Sequence, residues 1–503
     1  MSRAAGSGLR PGDDWCGPPA GSPLLVPGDD GLFGRLAPSG TPLTLTATLR
    51  TGTDARWPTA FVAAPRGKRY WNPTFAFERG ERVRIELVNA IAEPTIVHWH
   101  GLANDTANDG AGFALAAPGA RYAYDFTVRE RAGLYWYHPH PHGLTAGQAY
   151  RGLFGLIVVD DAEGRALRAA LDLAWGRTDI PLVLQDRRAG AEYVATAADA
   201  HHGLLGDTAT VNGGTDPYLD VATRAYRFRI LNASNARTYR LGFTDAAGRP
   251  SSFTLLGTDG GLLATPIRCT ECFVSPAERI DVLVDLSAAA VGDAVVLETR
   301  AFDPMHFEPP ATGDSAVALH AHAGGGWPEG APRRLMTLRV RERVVSRTNV
   351  PTRLSTMADI DTAGARERAF RLGFAKGRWR INDRVFAMGE TPIEVARDAV
   401  EVWLLRNYHT SMPHAMHVHG VHFRIVERET SPEFLRPLAV DDRGRLATDL
   451  GWKDTVLVWP GESVRVALRF ALPYPAAQTY LVHCHNLEHE DGGMMLGVKV
   501  GAG

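Results

Sequence analysis

The feature that most constrains the fold is a strand-like segment that recurs once in each third of the chain and ends in asparagine. The three copies are VRIELVNA (83–90), YRFRILNAS (226–234) and VEVWLLRN (400–407). Apolar residues alternate with polar ones, as in half-buried antiparallel strands, and Gly, Pro, Asn or Asp bounds many similar runs. This repeat predicts three related β-domains.

Helical periodicity is nearly absent, so we predict an all-β chain of three Greek-key β-sandwich or barrel domains. Shifts in composition suggest the domain boundaries. We expect an irregular N-terminal segment over 1–40, domains over 41–160, 179–325 and 351–503, and linkers over 161–178 and 326–350. The first linker is rich in Ala and Arg and predicts a helix.

Composition excludes several classes of partner. The chain has 503 residues, of which 45% are hydrophobic and 22% charged, as in a soluble globular protein. A formal charge of −2 favours neither nucleic acid nor an anionic membrane. The sequence contains no run of about 18 apolar residues, so we expect no transmembrane helix. The first residues, MSRAAGSGLRPGDDWCGPP, lack the apolar region of a signal peptide, so we expect either a cytoplasmic protein or one whose leader has been removed.

Four His-x-His pairs carry the chemistry of the chain. They are His98/His100, His138/His140, His417/His419 and His483/His485. Side chains two residues apart on a strand point to the same face, so each pair aims two imidazoles in one direction. A single pair is usually incidental, but eight buried imidazoles without partners would be costly. Imidazole suits Zn, Cu, Fe and Ni, and eight rings exceed the needs of one four-coordinate ion, so we predict a cluster of several ions.

A second site is predicted around the cysteine of the last pair. Cys484 separates two histidines of one strand and must face the opposite side from them. His489 and Met494 follow within ten residues, and His414 is the best candidate for a second histidine. Two His, one Cys and a weakly bound Met are the ligand set of a blue copper electron-transfer site.

The motifs HWHG (98–101), YHPHPHG (137–143), HAMHVHG (414–420) and HCHNLEHEDGGMM (483–495) resemble the four copper-binding motifs of the three-domain multicopper oxidases. That family includes laccases, bacterial cuprous oxidases and bilirubin oxidases. The resemblance spans roughly residues 70–500 and implies cupredoxin-like domains. Two departures occur: Ala415 replaces the usual proline after His414, and His142 is an extra histidine that we interpret as structural or as a support for the ligands.

The resemblance implies four copper ions per chain and assigns the ligands of each. The type 1 copper would be held by His414, Cys484, His489 and Met494. The type 2 copper would be held by His98 and His417. The two type 3 coppers would be held by His100, His138 and His485, and by His140, His419 and His483. Acids at the positions of Asp109 and Glu490 are thought to relay protons in this family.

The resemblance also implies a reaction. Cys484 would join the type 1 site covalently to two ligands of the type 3 pair, which gives electrons a short route toward O2 and its reduction to water. We expect a laccase-like oxidase of phenols, aromatic amines or similar small donors, working as a monomer outside the cytoplasm. Oxidation of cuprous ion or bilirubin, and copper storage, are the alternatives. The chain has only nine methionines and no Met-rich cluster, which disfavours a cuprous oxidase. Storage does not need a cysteine between two cluster histidines.

The sequence assigns no function to two further features. The segment FDPMHFEPPATGD (302–314) is a candidate lid over the donor site or an ordinary loop. Cys269 and Cys272 form an isolated CxxC that lacks the second pair a zinc site needs and the βαβ context of a thioredoxin-like motif. A disulfide, within the motif or to Cys16, and plain buried thiols both remain open.

Overall fold

A computed structural model describes residues 20–38, 42–50, 56–188, 192–307, 327–346 and 348–501. Its strands form six sheets, two in each third of the chain. We call these the first, middle and last sheet pairs. The all-β expectation is confirmed, and the helices are short and lie between the sheets or at their edges.

The first sheet pair holds eleven strands. They are β1 (Gly31–Leu32), β2 (Arg35–Leu36), β3 (Leu43–Leu49), β4 (Thr59–Ala63), β5 (Tyr70–Trp71), β6 (Thr74–Glu78), β7 (Arg82–Asn89), β8 (Val97–His98), β9 (Arg121–Thr127), β10 (Gly133–Pro139) and β11 (Gly155–Asp160). One sheet has the order β1-β5-β4-β3-β7-β9 and the other β2-β6-β11-β10-β8. Strands β1 and β2 lie in the segment that was predicted to be irregular. These two-residue stretches are strands because they pair with β5 and β6.

The middle sheet pair holds thirteen strands. They are β12 (Asp179–Arg187), β13 (Thr208–Val211), β14 (Gly214–Thr215), β15 (Tyr218–Ala222), β16 (Ala225–Asn232), β17 (Tyr239–Asp245), β18 (Pro250–Ser251), β19 (Phe253–Thr258), β20 (Gly261–Cys269), β21 (Glu271–Val274), β22 (Arg279–Asp285), β23 (Ala294–Thr299) and β24 (Arg333–Glu342). One sheet runs β14-β13-β12-β16-β22-β19-β20, and the other β15-β24-β23-β17-β18 with β21 on β17.

Strand β24 corrects the second linker prediction. Residues 326–350 were expected to connect two domains, yet Arg333–Glu342 pairs with β23 and β15 inside a middle sheet. The Gly/Pro-rich run that suggested a linker ends just before this strand. The sequence RRLMTLRVRE alternates buried with exposed positions over its second half, which is the pattern of an ordinary strand.

The last sheet pair holds ten strands. They are β25 (Arg366–Ala375), β26 (Arg378–Ile381), β27 (Ile393–Val395), β28 (Val400–Asn407), β29 (His414–Val418), β30 (Phe423–Glu429), β31 (Thr455–Val458), β32 (Ser463–Arg469), β33 (Gln478–Cys484) and β34 (Met495–Val500). The sheets have the orders β26-β25-β28-β32-β30 and β27-β34-β33-β29-β31.

Five α-helices and three 3-10 turns complete the described structure. The helices are α1 (Thr106–Asp109), α2 (Thr145–Tyr150), α3 (Ala162–Ala170), α4 (Ala197–His202) and α5 (Leu487–Asp491), and the turns are Pro65–Gly67, Arg436–Leu438 and Ala447–Leu450. Helix α3 lies in the predicted helical linker, where the Asp161 side chain caps it by accepting from Gly164 N at 2.8 Å. None of the described helices has the length and apolar character that crossing a bilayer requires.

Each sheet pair closes on its own apolar core, with Ile85, Phe228 and Trp403 fully buried in the first, middle and last cores. The first and last pairs meet directly, since Tyr480 Oη donates to Asn104 O at 2.7 Å. Strands β8 and β10 of the first pair and β29 and β33 of the last carry all four His-x-His motifs or their first residues. The predicted ligands therefore converge where the two ends of the chain pack together.

The repeated asparagine ends β7, β16 and β28 in an equivalent way. Each side chain is buried, and its amide donates two hydrogen bonds to backbone carbonyls near the strand end. The acceptors are Glu93 O and Ala116 O for Asn89, Arg237 O and Val274 O for Asn232, and Met412 O and Val458 O for Asn407, all at 2.8–3.0 Å. Asparagine suits this position because its side-chain amide carries two donors, one for each carbonyl.

We predict that Asn232→Ala lowers the free energy of unfolding by about 2–4 kcal/mol, because two buried carbonyls lose their donors. Urea unfolding followed by tryptophan fluorescence measures the effect. Asn349→Ala is the control, since Asn349 is exposed and makes none of these bonds. Equal stability of the two variants would contradict the structural role of the repeated asparagine.

Candidate metal centre

Strand pairing brings the histidine pairs together in twos. In the first sheet pair, His138 on β10 lies opposite His98 on β8. In the last sheet pair, His417 on β29 lies opposite His483 on β33. Across the contact between the sheet pairs, the rings of His98 and His419 stack with centroids 4.0 Å apart. The two ends of the chain therefore bring their histidine pairs together, as the prediction of a single cluster requires.

All eight predicted cluster histidines are buried, with 1% or less of each exposed. This burial lowers the pKa of every one of the eight imidazoles below its ordinary value. Each ring is therefore neutral at pH 7 and carries one nitrogen lone pair, which is the form that binds a metal ion.

Backbone carbonyls fix the orientation of four of these rings by accepting a hydrogen bond from Nδ1. The pairs are His98 with Asp109 O at 2.7 Å, His138 with Pro139 O at 2.8 Å, His417 with Asp454 O at 2.8 Å and His483 with Cys484 O at 3.1 Å. A proton held on Nδ1 leaves Nε2 as the lone-pair donor, so the carbonyls select the tautomer.

His100 has the opposite orientation. Its Nε2 lies 3.1 Å from Asp454 Oδ1, while its Nδ1 lies 3.4 Å from His138 Nε2. A carboxylate that holds the outer nitrogen is the usual support of a metal-binding histidine. Arg279 from β22 donates to both oxygens of Asp454 at 2.8 and 2.6 Å. Although burial alone would raise it, this guanidinium keeps the pKa of Asp454 well below its usual value.

Neither Asp454 nor Arg279 was identified from the sequence. Asp454 follows WK in GWKDTV and has no histidine beside it, and Arg279 lies in the middle third, which contributes no predicted ligand. The two residues are 175 positions apart, so no local pattern could connect them.

The inward nitrogens fit a group of metal ions. Nε2 of His483 lies 2.9 Å from Nε2 of His419 and 3.5 Å from Nε2 of His140. Inward nitrogens of His98, His417 and His485 have no hydrogen-bond partner in the described structure. Lone pairs of neutral rings at such distances repel one another, whereas a cation between them would bind both. Three groups of histidines each bring one nitrogen per residue to within 4.8 Å of one another. The groups are His98/His100/His138, His98/His417/His419 and His140/His419/His483.

Two further buried carboxylates touch the cluster, and both were predicted from the motifs. Asp109 Oδ2 lies 2.8 Å from His419 Nδ1 and 3.6 Å from His98 Nδ1. Glu490 lies 3.4 Å from ring nitrogens of both His140 and His483. Burial raises the pKa of both acids well above the usual range. Each acid therefore holds a proton more strongly than an exposed carboxyl group does.

The second predicted site also comes together. Cys484 Sγ lies 3.5 Å from His414 Nδ1 and 3.8 Å from His489 Nδ1. Met494 is fully buried in the same apolar cluster as Cys484. Burial raises the pKa of the Cys484 thiol to about 12, so its thiolate needs a bound cation. Two imidazoles, a thiol and a nearby thioether fit a copper ion.

Residues outside the predicted ligand set hold this second site. The Trp379 ring packs against the rings of His414 and His489, with centroids 4.6 and 4.9 Å away. His489 Nε2 donates to His201 O in helix α4 at 3.0 Å, and Ser411 Oγ lies 3.2 Å from His414 Nε2. Trp379 and His201 come from distant parts of the chain, and the sequence carried no signal for them.

The remaining predictions have mixed outcomes. His142 makes a structural contact, since its Nε2 donates to Ala111 O at 2.9 Å. In the candidate lid, residues 302–307 pack beside the second site, where Phe307 N donates to Ser411 O at 2.9 Å. Residues 308–314 of that segment, and Cys16, lie outside the described residues. Cys269 and Cys272 are free thiols.

Comparison with known proteins agrees with this geometry. Family models described as multicopper oxidase match residues 66–164 and 349–503. The crystal structure of the McoA multicopper oxidase from Aquifex aeolicus is similar, with 34% sequence identity, a TM-score of 0.82, and coverage of 96% of this chain and 100% of that chain.

Characterised relatives span most of the chain as well. A bilirubin oxidase from Albifimbria verrucaria is 31% identical over 431 residues, which are 84% of this chain and 70% of that protein. A laccase from Bacillus subtilis is 28% identical over 492 residues, which cover 84% of this chain and 87% of that protein.

The fold of these relatives confirms the expectation of cupredoxin-like β-domains. The level of identity and the breadth of coverage establish the family, and the buried histidine groups fit its metal. The chain therefore belongs to the multicopper oxidase family and is a copper-dependent oxidoreductase that uses O2 as its electron acceptor.

Proposed function

We propose that this enzyme is a laccase-like oxidase that takes single electrons from phenols, aromatic amines or similar small donors. The observation that carries this proposal is an open cavity of about 450 Å³ beside His489. Donors would bind there, next to the His414–Cys484–His489 site. O2 would be reduced at the eight-histidine cluster.

The cavity favours flat aromatic donors. Its wall includes Phe374, Trp379 and His201, and the Trp379 and His201 rings are stacked with centroids 5.6 Å apart. Trp379 also packs against His489, so a ring bound here would lie close to that side chain. Aromatic surfaces recognise aromatic ligands through offset or edge contacts. The side chains that line the cavity among the described residues include neither methionine nor cysteine, which disfavours cuprous ion as the donor at this place.

We propose four copper ions per chain, as the motifs imply. His414, Cys484, His489 and Met494 would hold the type 1 ion, and His98 and His417 the type 2 ion. The type 3 ions would be held by His100, His138 and His485, and by His140, His419 and His483. Bound copper would supply the one-electron redox chemistry and the binding of O2.

The chain itself links the two sites. Cys484 is bonded on either side to His483 and His485, so the thiol and two cluster imidazoles share one short stretch of backbone. A second link is the hydrogen bond from His483 Nδ1 to Cys484 O at 3.1 Å. These two links support Cys484 as the residue through which electrons pass.

Asp109 and Glu490 are proposed to hold the protons that O2 reduction consumes. Asp109 lies against His98 and His419, and Glu490 against His140 and His483, so the two acids border different parts of the cluster. Asp109 Oδ2 lies 2.8 Å from His419 Nδ1, and each oxygen of Glu490 lies 3.4 Å from a ring nitrogen. A proton on either acid would need to move only a short distance to reach the cluster interior.

Bilirubin oxidation is the second candidate function, because the relative from Albifimbria verrucaria bears that name and the cavity also suits a conjugated pigment. A copper store is disfavoured by the cysteine between two cluster ligands. We further propose a monomer that works outside the cytoplasm, as the family resemblance implies.

An oxygen electrode tests the donor class. Copper-loaded protein is expected to consume O2 faster with a dimethoxyphenol than with Cu(I) or bilirubin at equal concentration, because the cavity has aromatic walls. A faster rate with Cu(I) would refute the phenol proposal. A faster rate with bilirubin would favour the second candidate. The absence of O2 uptake with all three would refute the oxidase itself.

We predict that Cys484→Ser abolishes the intense visible absorption and reduces turnover of phenols to background, while cluster copper is largely retained. Serine keeps the size of the side chain but removes the soft ligand that the type 1 site requires. Visible spectra, copper analysis and O2 uptake are measured on one preparation. Turnover at wild-type rate in this variant would contradict the route through Cys484.

Asp454→Asn is predicted to weaken retention of cluster copper by about 10–100-fold, because His100 loses its charged partner. Copper content is measured after dialysis against graded chelator, with visible absorption as the reference for the type 1 site. Asp179→Asn is the matched control, since Asp179 is equally buried and pairs with Arg229 at 2.7 and 2.9 Å without contact to the histidines. Equal copper loss in both variants would mean that the effect is general destabilisation.

A further inference from the structure

A pair of thiols outside the copper sites lies at the contact between the middle and last sheet pairs. Cys269 ends β20 and Cys272 lies on β21, so the turn between these strands carries both. Cys272 is buried and Cys269 is half-buried, so a small ion could reach the pair from one side.

Both cysteines line a cavity of about 160 Å³. Its other wall comes from the segment of the last sheet pair that connects β30 to β31, and includes Leu438, Val440 and Leu446. Apolar residues outnumber polar ones in its lining, which also includes Arg268, Thr270, Glu271 and Thr448. A pocket of this size and character suits a small desolvated ion rather than an organic donor.

The donor set of the cavity selects the kind of ion. Glu271 lies between the cysteines, but its carboxylate is already bonded to Arg240 at 2.6 and 3.1 Å and to Arg300 at 2.9 Å. No histidine lines the cavity among the described residues. A zinc ion would need two more ligands than the cysteines offer. Two thiolates without further donors suit a soft monovalent ion that accepts two ligands, and Cu(I) is such an ion.

We propose that Cys269 and Cys272 bind one Cu(I) ion, in a site separate from the four copper sites proposed above. Each thiol would lose its proton and form one S–Cu bond, so binding releases two protons and changes no oxidation state. The bis-thiolate complex carries one negative charge. Arg268 lines the same cavity, and its positive charge would offset the charge of the complex.

Packed side chains connect the thiol pair to the strand that carries His414, a proposed type 1 ligand. Phe273 follows Cys272, and its ring packs against Trp459 with centroids 5.5 Å apart. Phe273 and Trp459 belong to the same apolar cluster as Ala415, the residue after His414. The pair therefore holds its ion one layer of side chains from the strand that carries a type 1 ligand, on a face distinct from the aromatic cavity.

Anaerobic titration tests the proposal. Copper-loaded, fully reduced protein is titrated with Cu(I) in competition with bicinchoninate, and the equivalents bound are counted. Wild type is expected to bind one more Cu(I) than Cys269→Ser and one more than Cys272→Ala. Thr270→Ala, which keeps both thiols in the same turn, is the control and should bind as wild type does. Bound Cu(I) is also expected to protect Cys269 from iodoacetamide, as read by peptide mass spectrometry.

Equal stoichiometry in wild type and both cysteine variants would overturn the site, as would a Cys269–Cys272 disulfide that persists in the reduced protein. Cys269→Ser keeps the test valid if Cys272→Ala fails to fold, because Cys269 is only half-buried. Visible absorption of the oxidised protein reports independently on the type 1 site. Its loss in wild type would count against the proposed oxidase and not against the thiol pair.

Discussion

The structure depends on keeping eight imidazole rings neutral in a buried contact between the first and last sheet pairs. Burial lowers their pKa values, and neutral rings need an acceptor for one nitrogen and a cation for the other. Backbone carbonyls satisfy the outer nitrogens of His98, His138, His417 and His483. The inner nitrogens face one another, so metal binding relieves a repulsion that folding creates. Copper binding and the docking of the two ends of the chain are consequently linked equilibria.

The middle sheet pair contributes no predicted ligand, yet it supplies charge where the cluster needs it. Asp454 supports His100 only as a carboxylate, and an isolated buried carboxylate would take up a proton. Arg279 prevents this by a bidentate pair across the interface. A second buried set, in which Lys453 Nζ lies 2.9 Å from Asp259 and 2.8 Å from Glu278, joins the same two sheet pairs. Removal of the middle third would therefore disturb the cluster without removing a ligand.

The parts of the site that could be predicted are those encoded locally. His-x-His on a strand and Cys484 between two histidines depend on alternation over three residues, so the sequence shows them directly. Arg279 and Trp379 depend on contacts between distant segments and have no such pattern. The same difference between local patterns and contacts of distant segments applies to the strands of the fold. Long alternating strands such as Arg82–Asn89 were evident, whereas Gly31–Leu32 forms only because a partner strand pairs with it. Strand Arg333–Glu342 was hidden by the Gly/Pro-rich run before it.

The strand through Cys484 fixes the spacing of the two metal sites, whereas the lining of the donor cavity can vary. Alternation places the thiol on one side of the backbone and the imidazoles of His483 and His485 on the other, so peptide geometry sets the spacing of the two sites. No change of side-chain packing can move one site without the other. His489, Asp491 and Gly492 close one side of the aromatic cavity, but most of its wall comes from helix α4 and the β25–β26 hairpin, which carry no copper ligand. Substitutions there can change which donor binds while the path from Cys484 to the cluster stays the same, so donor preference is a property of these elements rather than of the copper ligands.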